Sequence, residues 1–225
     1  MYLALIADVI DSKMVQERFD LQKQLEKMLQ KMNELFADYL ASCFTLTLGD
    51  EFQALLKVDA PIFHIIDTLR SEISPTQLRF GIGLGEIVTA IDPLISIGAD
   101  GPAYWNARAA INMVHQKNDY GNTQIYFSSG NEKHDFFVNA LIASGEAIRS
   151  GWRGSQEEIL QDLLKRFVYS ENFSQQDLAQ SLTINPSALS KRLKSSSIRV
   201  YLRGREAGLA RIQALAKGDG HDRIV

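Results

Sequence analysis

Two short stretches concentrate acid where apolar runs end. In LTLGDEFQALL, Leu46 to Leu56, two alternating apolar segments fold over a Gly-Asp-Glu corner. A tight hairpin favours Asn-Gly or Asp-Gly, where the glycine follows the polar residue and supplies positive φ. Here Gly49 precedes Asp50 and Glu51, so the corner presents carboxylates. In ADVIDSK, Ala7 to Lys13, an apolar run stops at Asp8 and a short turn leads to Ser12 and Lys13. Two or three carboxylates at one sheet edge repel each other unless a cation lies between them. A hard Mg2+ or Mn2+ takes one or two carboxylates and keeps room for phosphate oxygens. Asp8 and Asp50, with Glu51 beside them, are the candidate metal ligands. The turn from Val9 through Ile10, Asp11 and Ser12 to Lys13 is the candidate phosphate site, because free amides at a helix N-terminus hold phosphate and Lys13 adds a point charge. Asp11 and Ser12 are equally natural caps for that helix.

These residues can meet only if the elements around them bring their ends together. Tyr2 to Val9 reads as a strand buried on both faces. From Ser12 or Lys13 to Leu40 apolar residues recur at helical spacing, through Leu21, Leu25, Met28, Leu29, Met32 and Phe36. The hairpin follows, and Pro61 opens a helix through His64, Ile65 and Leu69. Leu78 to Thr89 is a glycine-rich strand, a helix runs from Pro102 to about Gln116, Thr123 to Phe127 is a strand, and Asp135 to about Ser150 is helical. That order is the one of an α+β, ferredoxin-like βαββαβ palm with additions. Its first strand lies antiparallel beside the strand that starts at Asp50 or Glu51, which would bring Asp8 and Asp50 together. Gly81, Gly83 and Gly85 lack the GxGxxG order and precede no helix, so they predict close packing rather than a dinucleotide loop.

At these residues the chain resembles the GGDEF-type diguanylate cyclases and the class III nucleotide cyclases. LGDEFQALL looks like the GGDEF signature with its following strand, and DVIDSK like the acid-plus-lysine segment after the first strand. The resemblance implies metal contacts for Asp8 and for Asp50 or Glu51, and phosphate contacts for Lys13 and Arg108. Leu48 stands where that signature has its first glycine, and Asn106 and Arg108 are two residues apart where class III cyclases have Asn and Arg four apart. Over roughly Met1 to Ala216 the chain resembles the SatD family of bacterial cytoplasmic proteins more closely still, through RFGIGLGEI at Arg79 to Ile87 and DGPAYWNARAAI at Asp100 to Ile111.

The texture changes after Gly151 and Gly154. SQEE, Ser155 to Glu158, reads as a capping box before a helix through Leu160, Leu163 and Leu164. FSQQDLAQSLTINPSALSKRLKS, Phe173 to Ser195, then gives two short helices, the first capped by Ser174 and the second started by Asn185-Pro186, which is helix-turn-helix texture. Thr183 stands where such turns usually carry glycine. Between Ser174 and Lys217 eight basic residues face two acidic ones, although the whole chain has a net charge of -3. Ser187, Ser190 and Lys191 would reach base edges of DNA, and Lys194 and Arg192 would add positive charge beside its phosphates.

The expected division is a cyclase-like palm over 1–150, an all-α helix-turn-helix domain over 151–217 and a disordered tail over 218–225. With 45% hydrophobic and 23% charged residues the 225-residue chain has the composition of a globular protein. The single cysteine, Cys43, excludes an intrachain disulfide and reads as an inert thiol. No run reaches the roughly 18 apolar residues of a membrane span, so a cytoplasmic location and no membrane partner are expected. The expectation for function is a SatD-like regulator whose palm binds a nucleotide with Mg2+ and whose helix-turn-helix binds DNA. The alternatives are an active nucleotidyl-transfer enzyme with metals on Asp8 and Asp50, and a metal-free palm serving as a homodimer scaffold.

Overall fold

A computed structural model describes residues 1–12 and 18–218. Lys13 and the tail beyond Gly218 therefore lie outside the described residues. The chain is α+β. Five strands, β1 (Tyr2–Val9), β2 (Leu40–Leu48), β3 (Glu51–Leu56), β4 (Leu78–Gly85) and β5 (Ile125–Ser128), form one mixed sheet in the order β2-β3-β1-β4-β5. The described residues hold eight α-helices. These are α1 (Arg18–Leu35), α2 (Ile62–Glu72), α3 (Pro102–His115), α4 (Glu132–Ser150), α5 (Gly154–Lys165), α6 (Gln175–Ser181), α7 (Pro186–Ser196) and α8 (Ile198–Ala216). None is long and apolar enough to cross a membrane.

Strand alternation decides which face each helix covers. Leu3, Leu5, Ala7 and Val9 of β1 join the main core, with α1, α2, Val138 and Ile142 of α4 and the end of α8. Ala4 and Ile6 point the other way and meet Ala103, Tyr104, Ala107 and Ile111 of α3. The glycines of β4 sit on that second face. A Cβ added at Gly83 would stand 2.1 Å from the carbonyl oxygen of Ala103 and 2.2 Å from the amide nitrogen of Ala107. Gly81 and Gly85 are as tightly covered by α3, so RFGIGLG is a strand stripped of side chains to let a helix backbone lie on it.

Both edges of the sheet are closed by an asparagine. Asn33 of α1 accepts from the amide of Phe44 at 2.7 Å and donates to its carbonyl at 3.1 Å on edge strand β2. Asn139 of α4 does the same for Phe127 on β5, at 2.8 and 2.9 Å. A side-chain amide reproduces the donor and acceptor of a neighbouring strand, so neither position can template another chain.

The C-terminal helices form a second core of Ile159, Leu160, Leu163, Leu178, Leu189, Ile198, Tyr201 and Leu202. The expected caps are present. Ser174 Oγ accepts from the amide of Asp177 at 3.2 Å, and Asn185 Oδ1 from that of Ala188 at 2.8 Å. α5 starts before the expected SQEE box, because Gln156 Oε1 accepts from the amide of Arg153 at 3.0 Å. Thr183 has φ of 53°, the left-handed conformation that glycine would adopt without strain. Helix α8 belongs to both cores: Tyr201 and Leu202 pack in the second, Ile212 and Leu215 in the first.

The close approach of α3 to β4 yields a prediction. Gly83→Ala should cost about 3 kcal/mol, because the backbone on both sides must move. Gly154→Ala, with nothing within 4 Å of the added Cβ, should be neutral or mildly stabilising. Thermal or urea melts of the two variants measure the contrast.

Candidate functional site

The antiparallel registers bring the acids to one end of the sheet. Asp8 is directly opposite Glu51 on β3 and opposite Arg79 on β4. The expected meeting of the first strand and the hairpin corner therefore occurs, but each carboxylate there has partners of its own. Asp8, 7% exposed, accepts from Arg79 Nε at 2.9 Å and lies 2.6 Å from His115 Nε2 at the end of α3. Arg79 Nη1 also approaches His115 Nδ1 at 3.0 Å. Glu51 is gripped by both terminal nitrogens of Arg108, at 2.6 and 2.8 Å, and takes the hydroxyl of Thr47 at 3.2 Å. The Arg108 hydrogen bonds hold the Glu51 carboxyl below its usual range, although partial burial opposes them. Asp50 accepts the hydroxyl of Ser12.

The turn after β1 is equally engaged. The amide of Val9 donates to the carbonyl of Asp50 at 3.2 Å and that of Ile10 to the carbonyl of Gln77 at 2.9 Å. Neither amide is left for a phosphate. Asp11 is exposed with φ of 54°, Ser12 is buried, and α1 begins within the described residues only at Arg18. Among the described residues no three His, Cys, Asp or Glu side chains gather as a metal site. As arranged, Asp8, Asp50 and Glu51 do not fit Mg2+ or Mn2+, because Asp8 is paired with Arg79, Glu51 with Arg108, and Asp50 is bound by the Ser12 hydroxyl. Arg108, the candidate phosphate contact, is half exposed and lines a cleft of about 450 Å3 with Ile6, Gln53, Ala99, Tyr104 and Trp105.

On α7 the candidate DNA-facing residues divide. Ser187, Ser190, Lys191 and Lys194 are exposed, and neither lysine makes an ion pair among the described residues. Arg192 turns back onto α5 and pairs with Glu158 at 2.7 Å. The eight-to-two excess of basic residues also shrinks in three dimensions. Arg203 pairs with Glu171 at 2.7 Å, and Arg205 is 2% exposed and pairs with Glu146. The acids that neutralise these arginines lie outside the basic segment in sequence, which is why counting along the chain overstated its field.

A third group of charges went unnoticed in the sequence. Between the two cores Glu146 of α4 accepts both terminal nitrogens of Arg70 of α2, at 2.7 and 2.8 Å, and Arg205 of α8 at 2.7 Å. Asp67 of α2 accepts Arg149 of α4 at 2.7 Å and the hydroxyls of Tyr169 and Tyr201 at 2.6 Å each. Arg149 reaches on to Glu157 of α5 at 3.0 Å. Burial alone would raise the Glu146 carboxyl, but Arg70 and Arg205 outweigh it and hold the group well below the usual carboxylate range. The remaining nitrogens of Arg205 have no acceptor among the described residues, and its guanidinium carbon lies over the rings of Phe63 and Tyr201, 5.1 and 4.8 Å from their centroids. Beside this network His64 stacks on Tyr169, with centroids 5.0 Å apart. The signal was available: Asp67 interrupts the apolar run IFHIIDTL, and Glu146 and Arg149 are three residues apart on one helix.

The profile of the SatD family matches residues 2–212 of the chain. No curated protein matches it by sequence.

The junction should respond to acid. Burial lowers the His64 pKa from about 6.5 to about 4, with nearby Asp67 opposing the shift. The unfolded chain therefore binds a proton between those values and the folded chain does not. Stability from this group is complete above about 6.5, falls as pH drops toward 4, and is reduced by about 2 kcal/mol at pH 5. His64→Phe, melted beside the native chain at pH 7.5 and pH 5, should lose that part of the pH dependence.

Proposed function

The chain belongs to the SatD family, and from that premise we propose that it is a DNA-binding regulatory protein. In this reading α6, the turn and α7 act as a helix-turn-helix, and the sheet with its helices is the body that holds them in place. The observation that carries the proposal is the division of α7. Ser187, Ser190, Lys191 and Lys194 are turned to solvent while Leu189 is buried and Arg192 is tied to Glu158. A helix lying in a major groove needs such a division, with short polar side chains at its start for base edges and cations for phosphates.

The strand order β2-β3-β1-β4, with β1 antiparallel to both neighbours, supports reading the body as a ferredoxin-like βαββαβ palm of the nucleotide-cyclase kind, extended by β5. Because the three acids do not fit a divalent cation, no step is routed through one, and the nucleotidyl-transfer alternative has no donor set to support it. A second reading has one observation in its favour. The cleft beside Arg108 offers Trp105 for a base, and the guanidinium would take a phosphate by exchanging Glu51 for it, so a nucleotide bound without metal would regulate from there.

Two measurements test these readings. Binding to duplex DNA should weaken steeply as salt rises, and Lys191→Ala should lower affinity evenly across sequences while reducing the slope of log K against log salt by about one per module. Absent or salt-insensitive binding overturns the DNA reading. Calorimetry with GTP should give the same result with Mg2+ as without it; heat that appears only with Mg2+ and is lost in Asp50→Ala restores the metal site.

A further inference from the structure

Helices α3 and α4 cover opposite faces of the sheet, and along its β5 edge they leave a half-open groove of about 610 Å3 between them. Ala109 and Met113 of α3 form one wall, Phe136 and Ala140 of α4 the other, and Tyr126 of β5 lies between them. The volume is in the range of a small-molecule site. An added strand cannot fill the groove, because the backbone of Phe127 is already paired with Asn139.

Every charged residue lining this groove is acidic. Asp119 is held at the entry to β5 by the hydroxyl of Thr123 at 2.8 Å. Asp135 is held at the exit, where it accepts the amide of Ser129 at 2.9 Å and the hydroxyls of Ser129 and Ser128 at 2.6 and 3.3 Å. Glu132, exposed, lies one turn before Asp135 on α4. All three act on one point: burial, and then the charges of Asp135, Glu132 and Asp119, push the Tyr126 phenol above its ordinary value. Four carboxylates are buried among the described residues. Asp8, Asp67 and Glu146 each pair with an arginine, at 2.9, 2.7 and 2.7 Å, whereas the donors to Asp135 are neutral. His134, the residue before it, favours its charged form but makes no ion pair with it. A buried carboxylate without a cationic partner is costly, and a cation entering the groove would relieve that cost.

The acids do not gather as a metal site among the described residues, and the surface between them is methyl, thioether and aromatic. Such a lining suits a ligand whose positive charges are spaced by methylenes. Ammonium groups would meet the carboxylates, the chain would lie on the alanines and Met113, and the rings of Tyr126 and Phe136 attract a cation. We propose that the groove between α3 and α4 binds an aliphatic polyamine, with one ammonium group on Asp135 and Glu132 and another toward Asp119. The site shares no residue with the Arg108 cleft or with α7, so the inference stands apart from both readings above.

Calorimetry of the full chain with spermidine in about 0.15 M salt should show saturable binding of one molecule per chain, because at that ionic strength open-surface charges more than about 8 Å apart are largely screened. Asp135→Asn keeps the oxygen that accepts from Ser129 and should weaken binding by roughly tenfold or more, while Glu26→Gln on the exposed side of α1 should leave it unchanged. Should Asp135→Asn lose structure by circular dichroism, Met113→Lys takes its place: it sets an ammonium group in the groove from a partly exposed position and should abolish binding with the melting temperature kept. n-Butylamine, with a single ammonium group, should bind roughly tenfold more weakly than spermidine. No heat with spermidine overturns the proposal, and a short lysine-alanine peptide that binds instead would assign the groove to a protein partner. Binding that survives Asp135→Asn and Met113→Lys, that falls as far in Glu26→Gln, or that Mg2+ at equal concentration abolishes reflects a diffuse attraction of cations and overturns it as well.

Discussion

Glu146 is the point through which the molecule holds together. One carboxylate on α4 ties α2, under the sheet, to α8, which enters the second core, and the paired group at Asp67 repeats the link through Arg149, Tyr169 and Tyr201. Three arginines and three acids balance, so the junction carries no net charge into the interior. Such a network contributes little to stability compared with an apolar filling of the same shape, but losing one member leaves an uncompensated charge and is costly. What it supplies is a fixed geometry. The two cores cannot slide against each other without breaking several hydrogen bonds of 2.6–2.8 Å at once, so the exposed face of α7 keeps a set orientation relative to the sheet.

The acids at the sheet edge follow the same logic on a more open surface. Asp8, Glu51, Arg79, Arg108 and His115 join β1, β3, β4 and α3 at one corner. A corner that looks like a cation site in one dimension is an ion-pair cross-link in three. The difference lies in α3, whose backbone approaches β4 closely because Gly81, Gly83 and Gly85 carry no side chains, and whose Arg108 and His115 are thereby brought to the acids.

Much of the frame was legible in the sequence. The strand Tyr2–Val9, the helix at Pro102, the caps Ser174 and Asn185 and the packing role of the β4 glycines all rest on local spacing and backbone geometry, which the residues themselves carry. The antiparallel meeting of Asp8 with the hairpin was legible too, because the order of elements restricts the sheet. What escaped was pairing between distant elements. Arg79 lies opposite Asp8 only once β1 and β4 are known to be neighbours in that register. Arg192, Arg203 and Arg205 looked like free positive charge because Glu158, Glu171 and Glu146 lie upstream of the counted segment. Asp67 was readable as a charge inside an apolar helix, but nothing local named Arg149 or the two tyrosines as its partners.

The two asparagines that cap the sheet bear on how the chain leaves the ribosome. Asn33 and Phe44 are 11 residues apart, and Asn139 and Phe127 are 12 apart. Each contact can form as soon as one helix and its neighbouring strand have emerged, and the Asn33–Phe44 contact does so before β3, β4 and β5 exist. A nascent chain holds both partners for the β2 edge once α1 and β2 have emerged, so that edge carries its own guard before the rest of the sheet is made.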